Sequence, residues 1–288
     1  MPQRPPEHRA AGKRASGQVS APAAGPWHGK AGCAASPLSG RLAAPSVVLP
    51  GTVAENARFL SGRIDEIGLC FFETRACLEY GDSDLPRDLA DLPLRWHVHL
   101  PVDLPWPAGR GADAAPAASS ALAVFRKAAF LRPRLAVLHP PEGSPARQRR
   151  LLKDFAVRWQ AASSAPLLVE NIDCCDLARL GCGFLPEHGL GVCLDVGHLL
   201  GYAQRGLADS ELPDQAALIH WSAPGRRDEH LPLTGFSMAE REAALGIMRR
   251  LPATAVHLAE IFHWPGLAAS LPVLAALAGN AKVAAEIR

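Results

Sequence analysis

Short apolar runs alternate with longer amphipathic stretches along almost the whole chain from Pro45 onward, and this alternation constrains the fold more than any other feature. The runs are PSVVL, EIGLCFF, RWHVHL, RLAVLH, PLLVE, GVCLD, ALIHW and AVHLAEIF. Each has about 4 to 8 residues and is rich in Val, Leu or Ile, the texture of parallel strands buried on both faces. Between them, ALAVFRKAAFL, ARQRRLLKDFAVRWQAA, SMAEREAALGIMRRL and GLAASLPVLAALAG carry apolar residues at helical spacing with charges opposite. Ser237 and Glu240 have the spacing of a capping box, and Gly279–Asn280 offers a stop for the last helix.

Eight strands alternating with helices over about 245 residues is the size of a (β/α)8 TIM barrel, an α/β fold. A doubly wound open sheet shares the alternation, but no Gly-x-Gly-x-x-Gly follows a strand. The sequence therefore predicts a single barrel over 41–288. Residues 1–40 are rich in Pro, Ala, Gly, Ser and Arg with almost no large aliphatics, so a disordered N-terminal extension is expected there.

Charge excludes some partners. The 288 residues include 30 basic and 28 acidic side chains, a net +2, and no clear basic excess of the kind that tracks phosphates. No nucleic acid is expected as a partner. No apolar stretch approaches the length of a membrane span, and the N-terminus lacks the apolar segment of a secretory signal. The seven cysteines, Cys33, Cys70, Cys77, Cys174, Cys175, Cys182 and Cys193, are odd in number and contain no Cys-x-x-Cys pair. They read as buried free thiols in a reducing compartment, and a cytoplasmic protein is expected.

The strand ends carry the chemistry. They terminate in metal-ligand residue types: His99 on strand 3, His139 on strand 4, Glu170 on strand 5, Asp195 with His198 after it on strand 6, and His220 on strand 7. Asp228 and His230 follow in the next loop, and strand 8 runs through Glu260. In a TIM barrel all these points face one mouth. Imidazole and carboxylate without thiolate suit Zn²⁺, Mn²⁺ or Fe²⁺, and nine donors exceed the needs of one ion, so two or three divalent ions are expected, zinc or manganese above all. Glu73 ends strand 2 at the same mouth, Asn171 adjoins Glu170, and Tyr202 follows His198; each is a candidate for contact with substrate or support of a ligand. His97 is expected on the face of its strand opposite His99, against the helices. His257 and His263 flank Glu260 in core or surface roles, and His8 and His28 lie in the N-terminal extension.

The order His, His, Glu, Asp-x-x-His, His, Asp-x-His, Glu resembles the AP endonuclease family 2 / xylose isomerase-like TIM-barrel superfamily from about Pro45 to the end of the chain. In its endonuclease IV branch such residues bind a trinuclear zinc cluster. The resemblance implies that His99, His139, Glu170, Asp195, His198, His220, Asp228, His230 and Glu260 are the ligands, with Glu170 and Glu260 as bridging, catalytically essential carboxylates. A narrower similarity, carried by PSVVLPGTVAENARFL, the FFE strand end, HLPVDL, VEN, CLDVGHLLGY and EIF followed by ASLPVL, is to the cobamide-remodelling phosphodiesterase (CbiR) branch. It implies hydrolysis of the phosphoribosyl bond in the nucleotide loop of a corrinoid substrate, giving cobinamide phosphate and a riboside of the lower-ligand base. Strand 7 often reads His-Leu-His in that branch; here it reads His220-Trp221-Ser222. An AP-site DNA endonuclease and a metal-dependent sugar isomerase or epimerase share the fold and part of the ligand set. A degenerate barrel that binds without turnover is the non-enzymatic alternative.

Overall fold

A computed structural model describes residues 36–286 except 110, 112, 182, 227 and 228. The chain forms β1 (Leu42–Pro45), α1 (Val53–Leu60), β2 (Glu66–Cys70), α2 (Thr74–Glu79), β3 (Arg95–His99), α3 (Ala115–Lys127), β4 (Ala136–Leu138) and α4 (Pro145–Ala162). It continues through β5 (Leu167–Glu170), α5 (Phe184–Glu187), β6 (Leu190–Asp195), α6 (Val196–Gly201), α7 (Arg205–Asp209) and β7 (Ala216–Trp221). A small hairpin, β8 (Ala223–Pro224) and β9 (His230–Leu231), leads to α8 (Met238–Met248), β10 (Val256–Ala259) and α9 (Trp264–Glu286). Eight parallel strands close in the order β1-β10-β7-β6-β5-β4-β3-β2. This is the TIM barrel the alternation predicts.

Each barrel strand faces two apolar environments, which explains its continuous hydrophobic run. Ala43, Leu135, Val137, Leu168, Cys193, Leu218, Val256 and Leu258 fill the barrel's inside. Trp96, Val98, Leu138, Val169, Val192, Leu194, Ile219 and Trp221 belong to the larger core between strands and helices. Because side chains alternate with period two, the inward rows are read directly. Val137 leads to His139, Leu168 to Glu170, Cys193 to Asp195, Leu218 to His220 and Leu258 to Glu260. The mouth donors are the upper ends of the rows that pack the barrel.

Several local readings shift. The first strand is Leu42–Pro45, not PSVVL. Val48 and Leu49 instead form a loop whose N–H groups both donate to Asn56 Oδ1, at 2.8 Å each. Leu38 is already buried. The Ser237–Glu240 capping box is present, and a second, formed by Thr52 and Glu55, opens α1. Gly279 and Asn280 do not end the last helix, which continues to Glu286; flanking alanines, the best helix formers, carry it through. His97 faces the inside of the barrel, on the same side as His99, because residues two apart in a strand share a face. Its Nδ1 lies 2.8 Å from Glu66 Oε1, while Trp96 and Val98 take the helix side.

Candidate metal centre

The structure brings His99, His139, Glu170, Asp195, His198, His220, His230 and Glu260 together at the carboxyl-terminal mouth. Asp228 lies outside the described residues. Glu170, Asp195, His220 and Glu260 are all buried. Two groups of these side chains place their donor atoms within 4.8 Å of one another: His99, His139 and Glu170, and Glu170, Asp195, His220 and Glu260. Glu170 belongs to both, through different oxygens. Its Oε2 lies 3.1 Å from His99 Nε2 and 3.5 Å from His139 Nε2; its Oε1 lies 3.3 Å from His220 Nδ1. Glu260 Oε2 in turn lies 2.9 Å from His220 Nδ1 and 3.5 Å from His230 Nδ1.

These spacings would fit a cation between the donors. A tetrahedral ion with bonds of about 2.0 to 2.1 Å holds its ligand atoms roughly 3.3 Å apart. The proton positions support the same conclusion. His99 Nδ1 lies 2.9 Å from the Leu100 carbonyl, and His198 Nδ1 lies 2.9 Å from the Asn171 carbonyl. A carbonyl only accepts, so each Nδ1 carries its proton, and Nε2 offers a lone pair whenever the ring is neutral. His99 Nε2, 3.1 Å from Glu170 Oε2, then needs either its own second proton or a cation between the two atoms. Asp195 Oδ2, both ring nitrogens of His220 and Glu260 Oε2 are buried without a hydrogen bond. Polar atoms this deep ordinarily have a partner, and donors of this chemistry fit divalent ions.

Local sequence explains the positioning. Asp195 ends β6 and caps α6: its Oδ1 accepts from His198 N at 2.6 Å, which leaves Oδ2 for the mouth. Gly197 lets that turn pack on the residue that follows β7, because a Cβ there would lie 2.2 Å from Ser222 Oγ. Asn171 clamps Asp195 from both sides: its Oδ1 accepts from Asp195 N at 2.7 Å, and its Nδ2 donates to Asp195 O at 2.9 Å. The same Nδ2 donates to Gln204 Oε1 at 2.9 Å. Asn171 is thus a support for the site and is fully buried. Glu73 is exposed at the start of α2 and does not line the cavity. Tyr202 is exposed at the end of α6, its ring 5.4 Å from that of His198.

Electrostatics reflects the crowding. Burial raises the Asp195 carboxyl to about 7; His198 opposes this, while Glu170 and Glu260 add repulsion. Burial also pushes Glu170 upward, but His220 and His139 hold it well below the ordinary carboxylate range. Glu260 is lowered in the same way by His220 and His230 against burial. Burial pulls His220 down, yet Cys193, Glu260 and Glu170 raise it well above the usual imidazole value.

Sequence reasoning missed two sets of residues. Cys193 joins Glu170 and His220 in a third group of mutually close donor atoms, and burial raises its thiol to about 12. Phe72, Val102 and Phe262 line the cavity of about 240 Å³ beside His99, His139, Glu170, His198, His230 and Glu260. Parity signals the phenylalanines, since Phe72 and Phe262 continue the inward rows of Cys70 and Glu260. Val102 sits in a loop and has no such signal. His257 and His263 lie away from the centre: His257 Nδ1 accepts from Trp221 Nε1 at 3.1 Å, and His263 Nδ1 accepts from Gly266 N at 3.1 Å.

No family model matches the sequence, and no curated protein matches it. Solved structures do match. A D-tagatose 3-epimerase-like protein is 14% identical with a TM-score of 0.64, over 85% of this chain and 99% of that one. Endonuclease IV from Thermus thermophilus is 21% identical with a TM-score of 0.61, over 83% and 99%. IOLI protein with a binding zinc atom is 11% identical with a TM-score of 0.57, over 84% and 96%. The chain has the fold of the xylose isomerase-like barrels. At these identities the likeness is one of fold. Among the described residues, no helix is long and apolar enough to cross a membrane.

Proposed function

We propose that the chain is a metal-dependent phosphodiester hydrolase that cuts the phosphoribosyl bond in the nucleotide loop of a cobamide. The observation that carries the first half is the pair of donor groups sharing Glu170 through its two oxygens. A shared carboxylate is what holds two ions side by side, and the buried atoms left without hydrogen bonds are the ones such ions would satisfy. His99, His139 and Glu170 would hold one ion, Glu170, Asp195, His220 and Glu260 a second, and His198, Asp228 and His230, with Glu260 between, a third. Ions so placed supply Lewis-acid activation of water and neutralise charge on phosphoryl oxygens.

The residues of the chain do the positioning. Glu170 and Glu260 fix the spacing of the cluster. Asn171 holds Asp195 and, through its carbonyl, the ring of His198. The cavity is below the usual range of about 300 to 1,000 Å³ for ligand pockets. It suits a phosphoryl group with part of its ribose, while a corrin ring stays outside. The second half of the proposal, the cobamide, rests on the motif similarity in CLDVGHLLGY, VEN and HLPVDL. The test is incubation of zinc- or manganese-loaded protein with cobalamin and pseudocobalamin. Cobinamide phosphate and the riboside are the expected products; intact cobamides would overturn the substrate, and nicking of abasic duplex DNA in their place would favour the endonuclease.

A further inference from the structure

One wall of the cavity is apolar. Phe72 follows β2, Val102 follows the neighbouring β3 and Phe262 follows β10, with only β1 between β10 and β2, so the three share one side of the mouth next to the donors on β3 to β7 and at the end of β10. The two phenyl rings pack edge to face, 5.6 Å apart at 83°. Each also meets an imidazole of the centre: Phe72 lies 5.7 Å from His99, and Phe262 lies 5.1 Å from His230. Val102 stands at the rim, 47% exposed.

This wall is held in place by the backbone. Val102 N donates to Phe72 O at 3.1 Å, which ties the loop after β3 to the end of β2. Asp103 Oδ1 accepts from both the N–H and the hydroxyl of Thr74, each at 2.7 Å, and so fastens the same loop to the start of α2. A half-exposed valine and two partly buried phenyl rings lose little side-chain entropy when covered, and each offers apolar area to a ligand. Cations held by the donors would explain recognition of an anion. They leave this wall without a function.

We propose that Phe72, Val102 and Phe262 form a subsite for a flat, uncharged ring carried by a ligand whose anionic end reaches the histidine and carboxylate cluster. The edge-to-face pair presents aromatic surface suited to ring contact, and the wall abuts the donors directly, so ring and anion belong to one small ligand or to one end of a larger one. The inference rests on the cluster being a metal centre; it does not depend on the substrate being a cobamide.

The test is calorimetric titration of zinc-loaded protein with phenylphosphonate and with methylphosphonate, which share the anionic head and differ in the ring. Phenylphosphonate is expected to bind about tenfold more tightly, the scale of one well-packed aromatic contact. V102S, at a rim position, and F262L, which keeps the wall filled but removes the ring, should each cut that preference at least about threefold, with zinc content measured alongside. Equal affinities in the wild type, no phosphonate binding, or a preference that survives both substitutions would overturn the subsite. Cobalamin left intact would remove the substrate reading while a phenyl preference still stood.

Discussion

Glu66 at the amino-terminal end of the barrel and the Glu170, Asp195 and Glu260 group at the carboxyl-terminal end are equally buried, and the protein treats them in opposite ways. Glu66 Oε1 faces His97 Nδ1 at 2.8 Å, and its Oε2 accepts from Arg134 Nη1 at 2.7 Å and Arg95 Nε at 3.2 Å. Protein donors satisfy it fully. At the other end, three carboxylates share histidines: Glu260 Oε2 lies 2.9 Å from His220 Nδ1, and Asp195 Oδ2 is buried without a hydrogen bond. Desolvating charge is costly unless it is compensated. The lower cluster is compensated within the chain and therefore reads as architecture. The upper one is compensated only in part, by His220, His139 and His230, and burial leaves Asp195 raised to about 7; that residual is what makes it a candidate cation site. The amino-terminal face of such barrels is where stability is built, and the carboxyl-terminal face is where chemistry is built.

Paired substitutions can break this contrast. E260Q removes a charge from the upper cluster. It should lower kcat/KM on the proposed phosphodiester substrate by roughly a thousandfold, the scale of losing one electrostatic stabiliser, and reduce the bound ions counted by elemental analysis. E66Q removes a charge from the lower one. It should cost roughly 2 kcal/mol of folding stability in a urea titration, because the buried pairing with His97 and the two half-exposed guanidinium groups is weakened, while ion content stays at the wild-type level. Ion loss in E66Q, or full activity with full ion content in E260Q, would erase the distinction between the two ends.

Much of this was legible in the sequence, and the failures have physical causes. Strand order and barrel closure followed from the spacing of apolar runs, since a strand buried on both faces has no polar alternation to hide it. The mouth donors were legible because they end those runs. β1 was not, because Leu42–Pro45 is alanine-rich and the stronger run beside it, PSVVL, is apolar for a loop that Asn56 holds. His97 was misplaced although the sequence contains its position: a period of two puts it with His99, one layer below. Val102 was out of reach, since a loop's path depends on bonds such as Val102 N to Phe72 O that no periodicity records. Asn171 was visible as a neighbour of Glu170, but its two-sided clamp on Asp195 depends on the register of β5 against β6.

The smallest expected effect sharpens the comparison most, because Glu66 and Asp195 should respond to pH in opposite directions, while Glu170 and Glu260, both lowered, follow the sense of Glu66 at acid pH. Burial pushes Glu66 up, but His97 and Arg134 outweigh it and hold the carboxyl at about 2, below its ordinary 4.5. Its stabilisation is present above about pH 4.5 and is lost as pH falls toward 2. In ion-free protein Asp195 is raised from 3.8 to about 7. Between those values the unfolded chain ionises this group while the folded chain keeps it protonated, so stability falls as pH rises, by up to about 1.4 kcal/mol per unit. His220 acts in the same sense at higher pH. Its folded value is raised, so its contribution is present below about 6.5 and is lost as pH climbs through that folded value. A cation held by Asp195 would favour the ionised carboxylate and so would remove or reverse the decline. Urea titrations of chelator-treated and zinc-loaded protein at pH 5, 6 and 7 separate the cases. The chelated protein should weaken across that range and the loaded protein should not; parallel profiles would mean that the mouth carboxylates, like Glu66, are satisfied by the chain itself.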